Sequence, residues 1–202
     1  MQRKAEIERK SKETQIKVSL NIDGSGKTKI KTPIGFLDHM LELFAFHGYF
    51  DLDLSVTGDT HIDIHHTNED IGIVLGKAFK KALGEEKAGI KRFGHAYAPM
   101  EATVGLCVVD ISGRGYFKLN VEGQTSGNPD AEGYKLSHFE HFMESFAHNL
   151  GATLVFNLEN PSNDLHTNLE TMFKSLGLAL DQATKIDPRR QGQVPSTKGI
   201  ID

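Results

Sequence analysis

The chain repeats itself, and the repeat limits what it can fold into. An offset of 101 residues carries His65 onto His166, Glu69 onto Glu170, Leu75 onto Leu176, Gly76 onto Gly177, Ala78 onto Ala179 and Ala82 onto Ala183. Upstream, an offset of 102 carries Asp38-His39-Met40-Leu41-Glu42 onto Glu140-His141-Phe142-Met143-Glu144, and Phe44-Ala45 onto Phe146-Ala147. An internal repeat is a statement about architecture. Each half builds the same unit, and no linker separates the two. The reading is α+β: two similar halves, about residues 1–90 and 91–186, the first with four strands and two helices free to cover one face of its sheet. With no linker between them, the halves pack face to face with the helices between the sheets. The repeated positions include His and Glu, which packing alone does not require.

The chemistry is densest at Asp63-Ile64-His65-His66-Thr67-Asn68-Glu69-Asp70. The apolar residues that follow, Ile71, Val74, Leu75, Ala78, Phe79, Ala82 and Leu83, have the spacing of a helix with one buried face. On that helix His65 and Glu69 lie one turn apart on one side. His66 is turned away from His65 by roughly 100°, so the two imidazoles serve different places. Nitrogen and carboxylate donors without thiolate suit Mn, Fe, Zn, Co or Ni. A plain polar first turn at the positive helix end explains one such motif as well. It does not explain the second occurrence at His166 and Glu170. The candidate ligands are His39, His65, His66 and Glu69 from the first half and His141, His166 and Glu170 from the second. His39 lies near an apolar stripe, where a lone histidine is more often a core residue than a ligand.

Charge and cysteine usage narrow the function classes. A net charge of −4 gives no basic surface for nucleic acid or an acidic membrane. The single Cys107 excludes an intramolecular disulfide and a cysteine-rich zinc site. The charged start of the chain has no apolar core of a secretory signal, and no apolar run is long enough to span a bilayer. The expected compartment is the cytoplasm.

Read in order, residues 3–14 form a polar first strand or arm. Ile16, Val18, Leu20 and Ile22 alternate as a half-buried strand. Asp23-Gly24-Ser25-Gly26 reads as a hairpin turn, with Lys27 to Thr32 as the return strand. Phe36 to His47 is a helix ended by Gly48 in the left-handed manner. Asp51 to Val56 is a strand, and His61 to Ile64 a further short one, giving β-β-α-β-β-α. After a basic turn at residues 89–94, Thr103 to Ile111 is the most apolar strand, with Phe117 to Val121 as its hairpin partner. Residues 123–133 read as a loop. A helix 136–150, a strand 152–158 and a helix from His166 to Ala183 complete the second half as β-β-α-β-α. On composition the tail 187–202 is a disordered end. Arg92, Arg114, Ser196 and Lys198 are cations and a hydroxyl of the kind that grip a phosphate dianion, or else ordinary solvated groups.

Several segments together resemble the imidazoleglycerol-phosphate dehydratase family. They are Gly35-Phe36-Leu37-Asp38-His39-Met40-Leu41, residues 63–73, Asp110-Ile111-Ser112-Gly113-Arg114, Glu140-His141-Phe142, Glu170-Thr171-Met172-Phe173-Lys174 and Pro195-Ser196-Thr197-Lys198-Gly199. The resemblance implies a metal-dependent lyase of L-histidine biosynthesis that converts imidazole glycerol phosphate to imidazole acetol phosphate and water. It implies two similar halves, each a four-stranded sheet with two helices on one face, and two Mn²⁺ per site on the candidate ligands above. It also implies a homo-oligomeric cage of 24 subunits built from trimers, with active sites between subunits. The C–H to be removed is not acidic in the ground state, so a Lewis acid on the imidazole and a nearby carboxylate are the groups the reaction needs. Matching positions nominate Glu69 and Glu13 as the proton carriers. They make Arg92, Arg114, Ser196 and Lys198 the phosphate grip, with residues 187–202 as a phosphate-binding tail of a single domain spanning residues 1–202.

The chain departs from the family pattern at three places. The second His-His pair is His166-Thr167, which removes one donor from the second metal. The paired acids after Pro99-Met100 are Glu101 and Ala102. A family histidine stands as Val155. Two other readings follow: a non-catalytic relative that binds metal and imidazole phosphates, and a dinuclear hydrolase of phosphate esters.

Overall fold

The computed structural model describes residues 3–84, 87–123 and 130–201. The first half contains β1 (Lys4–Lys10), β2 (Thr14–Asn21), β3 (Thr28–Lys31), α1 (Gly35–His47), β4 (Asp51–Gly58) and α2 (Ile64–Leu83). The second contains β5 (Phe93–Met100), β6 (Thr103–Asp110), β7 (Tyr116–Val121), a two-stranded ribbon of β8 (Asp130–Ala131) and β9 (Tyr134–Lys135), α3 (Leu136–Leu150), β10 (Thr153–Glu159) and α4 (Leu165–Thr184). Without the ribbon, both halves read β-β-β-α-β-α. Their sheets have equivalent orders, β1-β2-β4-β3 and β5-β6-β10-β7. The two halves and the two four-stranded sheets agree with the sequence reading.

The strand connections do not. β3 is not the hairpin partner of β2: it pairs in parallel with β4, from Thr28 opposite Leu52 to Lys31 opposite Ser55. β2 pairs with β4 on the other side, antiparallel. β7 likewise pairs in parallel with β10 and not with β6. Parallel neighbours need a crossover, and the intervening helices α1 and α3 supply it. The turn at residues 23–26 therefore folds over the sheet end. Asp51 holds it there, its Oδ1 accepting from Ser25 N at 2.8 Å and Lys27 N at 3.1 Å. The short strand expected at His61–Ile64 is a turn, with Ile62 69% exposed. The strand β5 falls in a stretch where no strand was expected. Its Gly94 and Pro99 conceal the alternation, yet Ala96 and Ala98 face the core. Gly48 caps α1 with a right-handed φ of −84°, and Tyr49 takes the left-handed turn at 57°. Of the loop expected at 123–133, residues 124–129 lie outside the described residues, and the ribbon occupies its end.

The four helices lie between the sheets and exchange partners across the halves: α2 packs on α3, and α1 on α4. Two repeat-equivalent glycines bring the backbones together. A Cβ on Gly76 would stand 2.6 Å from Phe146 O, and one on Gly177 would stand 2.4 Å from Phe44 O. Phe44 and Phe79 meet Phe146, with ring centroids 6.4 and 5.7 Å apart. The core is therefore continuous across the repeat. Among the described residues no helix is long and apolar enough to cross a membrane.

Candidate metal centre

The start of each long helix is set by an aspartate. Asp63 Oδ1 accepts from His65 N at 3.1 Å, and Asp164 Oδ1 from His166 N at 3.0 Å. Such caps satisfy amides that the helix leaves free. They fix the first turn so that a histidine and the glutamate four residues on share one face. The cross-half packing then brings each His-Glu pair to a histidine on the other half.

The first cluster joins His39 of α1 to His166 and Glu170 of α4. Both imidazole Nε2 atoms lie 3.0 Å from Glu170 Oε1. One ligand atom from each of the three residues falls within 4.8 Å of the others. Phe36 meets the His166 ring edge-on, 5.4 Å between centroids. The other carboxylate oxygen, Oε2, accepts from Lys174 Nζ at 2.5 Å. Burial alone would raise the Glu170 carboxyl. Hydrogen bonds from Lys174, His39 and His166, with the Lys174 charge, overcome it and hold the pKa at about 2. The glutamate is thus an anion with one oxygen anchored and one presented to two imidazoles. Two nitrogens and an ionised oxygen converging this closely fit a divalent transition metal. Lys174 has no assigned role in the sequence reading. Its signals are its position one turn beyond Glu170 and its place in the segment Glu170-Thr171-Met172-Phe173-Lys174.

The second cluster is the repeat image, on α2 and α3. His65 Nδ1 lies 3.0 Å from His141 Nδ1, and His65 Nε2 lies 3.5 Å from Glu69 Oε2. These residues, with Glu144, Ser145 and His148, line an open cavity of about 320 Å³. Here His65 stands between its partners, one ring nitrogen toward each, so the three do not converge as the first cluster does. The seven candidate ligands therefore do not form one centre within a chain. Six divide into two clusters of three, and His66 stands apart with its Nδ1 3.8 Å from Asp59 Oδ2. Glu13 is in neither cluster. It lines an open cavity of about 360 Å³ with Asp59 and Thr57.

At the end of the second sheet, Arg92 spends its guanidinium on the chain itself. Nε and Nη2 donate to Asp110 at 2.6 and 3.1 Å, and Nη1 donates to Pro195 O at 3.0 Å. The tail is therefore not a loose end. Gly89 N also bonds Gln193 O at 2.9 Å, and Pro195 is buried. This places Ser196 next to Arg92 in the chain's path, with Lys198 N donating to Ser196 Oγ at 3.2 Å. Arg114 follows β6 on a turn where Ser112 Oγ accepts from its amide at 3.3 Å. Asp110, which orients Arg92, is signalled in the sequence by its place in the segment Asp110-Ile111-Ser112-Gly113-Arg114, though its role as the partner of Arg92 is not.

Known proteins supply an independent comparison. A family profile described as "Imidazoleglycerol-phosphate dehydratase" matches residues 32–180. Proteins of that name from Pelobacter propionicus and Thermoanaerobacter pseudethanolicus are 49% and 50% identical to this chain. They align over 100% and 98% of it and over 100% of their own length. Two solved structures superpose with a TM-score of 0.78. The Pyrococcus furiosus protein, in complex with (S)-C348, is 37% identical over 96% of this chain and 99% of its own. The Staphylococcus aureus protein is 31% identical over 91% and 99%.

Proposed function

The chain belongs to the imidazoleglycerol-phosphate dehydratase family, and from that premise we propose how its residues serve the reaction. It is a hydro-lyase of L-histidine biosynthesis that converts imidazole glycerol phosphate to imidazole acetol phosphate and water. The observation that carries the site assignment is the convergence of His39, His166 and Glu170, repeated more loosely by His141, His65 and Glu69. Bound there, a divalent ion supplies Lewis acidity and a template for the imidazole ring. We assign that ion as Mn²⁺, with His39, His166 and Glu170 holding one and His65, Glu69 and His141 contributing to a second, while His66, which points elsewhere, is a donor to an ion completed by a neighbouring copy.

The chain's own groups do the rest. Lys174 keeps Glu170 ionised and aimed. We assign proton transfer to Glu69, at the α2–α3 cavity, and Glu13, beside the β4 end. Arg92, Arg114, Ser196 and Lys198 take the phosphate. In this state Arg92 braces the tail, and the unused guanidinium hydrogens remain for the ligand.

Separate clusters in one chain suit sites completed by a neighbouring copy, and the surface supports an oligomer. On the outer face of the second sheet Phe93, Tyr97 and Val108 are 58%, 58% and 41% exposed. The equivalent face of the first sheet bears Glu6, Glu8, Lys17 and Asp53. We assign a 24-subunit cage of trimers. Its substrate is a small polar metabolite, and we assign the cytoplasm. Mass measurement in solution tests the assembly: a monomer rejects it.

The decisive assay is formation of imidazole acetol phosphate by metal-stripped protein before and after addition of Mn²⁺. Product only after addition, and none from His166→Ala, is the expected result. Turnover that ignores both chelation and His166→Ala removes the assignment.

A further inference from the structure

Three buried polar atoms at the junction of β4 and α2 have no hydrogen-bond partner among the described residues: Asp59 Oδ1, His66 Nδ1 and Thr67 Oγ1. Buried polar groups are rarely left so, and each calls for an explanation. Two of them belong to side chains that face each other, with Asp59 Oδ2 3.8 Å from His66 Nδ1. That distance is too long for a hydrogen bond. The Asp59 side chain is only 16% exposed, while the His66 side chain is 43% exposed. Since Nδ1 is buried, the exposed part of the ring is the edge that carries Nε2.

We propose that Asp59 is a positioning residue for His66: it holds the proton on Nδ1, so that the Nε2 lone pair faces outward to take the cation. A neutral imidazole has one donor nitrogen and one acceptor. The hydrogen bond at one nitrogen decides which is free for a metal. A cation on Nε2 would withdraw charge from the ring and make Nδ1–H a better donor toward Asp59. The second repeat is an internal control. Where the first has Asp59 and His66, the second has Asn160 and Thr167. The carboxylate and the imidazole are missing together. Thr167 Oγ1 donates instead to the capping Asp164 Oδ2 at 3.1 Å. A carboxylate needed only to build the turn would be expected in both halves, since both turns lead from a strand to a capped helix over the same length.

The proposal rests on the reading of His66 as a metal ligand, and a double-mutant cycle separates the two. Mn²⁺ alone is titrated into metal-free full-length protein by calorimetry, for wild type, Asp59→Ala, His66→Ala and the double variant. His66→Ala weakens binding at one class of site. Asp59→Ala weakens the same class about 10–100-fold, the usual loss when the group that orients a ligand is removed. Asp59→Ala adds nothing once His66 is gone. Equal affinity of wild type and Asp59→Ala overturns the proposal, as does the same loss in both backgrounds, which marks a structural role. If His66→Ala binds Mn²⁺ like wild type, the ligand reading of His66 falls and takes the proposal with it. Should Asp59→Ala not fold, the near-isosteric Asp59→Asn carries the test. It keeps an acceptor oxygen but no charge, and its affinity falls between wild type and His66→Ala. An affinity equal to wild type then counts against the proposal.

Discussion

At position 167 the two halves differ by one side chain with chemical consequence. Thr167 stands where the first repeat has His66, is 8% exposed and is tied to the helix cap. Neighbouring residues on a helix point in directions roughly 100° apart, so Thr167 does not share the His39, His166 and Glu170 cluster. A histidine there extends past the cap and adds a donor in a second direction. We expect Thr167→His to raise Mn²⁺ stoichiometry or affinity at one site and leave the first cluster intact, as read by calorimetry on metal-free protein. A titration and turnover identical to wild type would mean that position 167 faces no metal and that the halves are not equivalent there. The residue scale is also where the sequence is most legible. His39, His166 and Glu170 can be named from spacing because a helix converts spacing into direction. That His65 stands between its partners, and that His66 stands apart, depends on rotamers and on packing across the halves, which spacing does not carry.

Elements were harder to read than residues. The strands β2 and β4 announce themselves by alternation and β6 by its apolar run, but neither pattern says anything about neighbours. A Gly-rich turn between two strands suggests a hairpin; here Asp51 intercepts that turn and redirects the chain across β4. The Ser25 amide foremost, against an opposing effect of burial, and then the Lys27 amide hold the Asp51 carboxyl below its ordinary value of 3.8. A depressed folded pKa gives stability that is complete above the unfolded value and is lost as pH falls through the folded one. Asp51→Ala is therefore expected to lose on the order of 1 kcal/mol at pH 7, as other side-chain caps do. The difference from wild type closes as pH falls below 3.8, in urea titrations run at pH 7 and in acid. A constant difference across that range would exclude the carboxylate as the pin. The helix pairs give a second prediction. Overpacking costs about 1–3 kcal/mol, and alanine returns about 1 kcal/mol of helix propensity over glycine. At Gly76 and Gly177 the new Cβ meets backbone carbonyls, which no rotamer change can move aside. Gly76→Ala and Gly177→Ala should therefore each lower the melting temperature; a rise in either would show that the helices can separate without cost.

For the whole molecule, the repeat makes two halves, and the packing makes them depend on each other. The main helix–helix contacts run between halves, α2 with α3 and α1 with α4. Phe146 of the second half closes the aromatic cluster of Phe44 and Phe79 in the first. Each half alone would expose the apolar faces of both its helices, including Leu37, Met40 and Leu41 in the first half, which are at most 1% exposed in the intact chain. Burying a large aliphatic or aromatic side chain is worth about 1.5–3 kcal/mol, against a typical total stability of about 5–15 kcal/mol for a domain. Losing several such residues is enough to unfold either half. The metal clusters are divided in the same way: His39 needs Glu170, and His65 needs His141. We therefore expect a fragment of residues 1–90 to lack dispersed methyl NMR signals, a cooperative melt and Mn²⁺ binding. The same holds for residues 91–202. Mixing the two should restore all three properties together, because one interface carries both the core and the ligands. A cooperative melt from residues 1–90 alone would make the halves separate domains and the shared core incidental. Recovery of the fold on mixing without recovery of metal binding would break the link between packing and site, and with it the account of why the histidines recur.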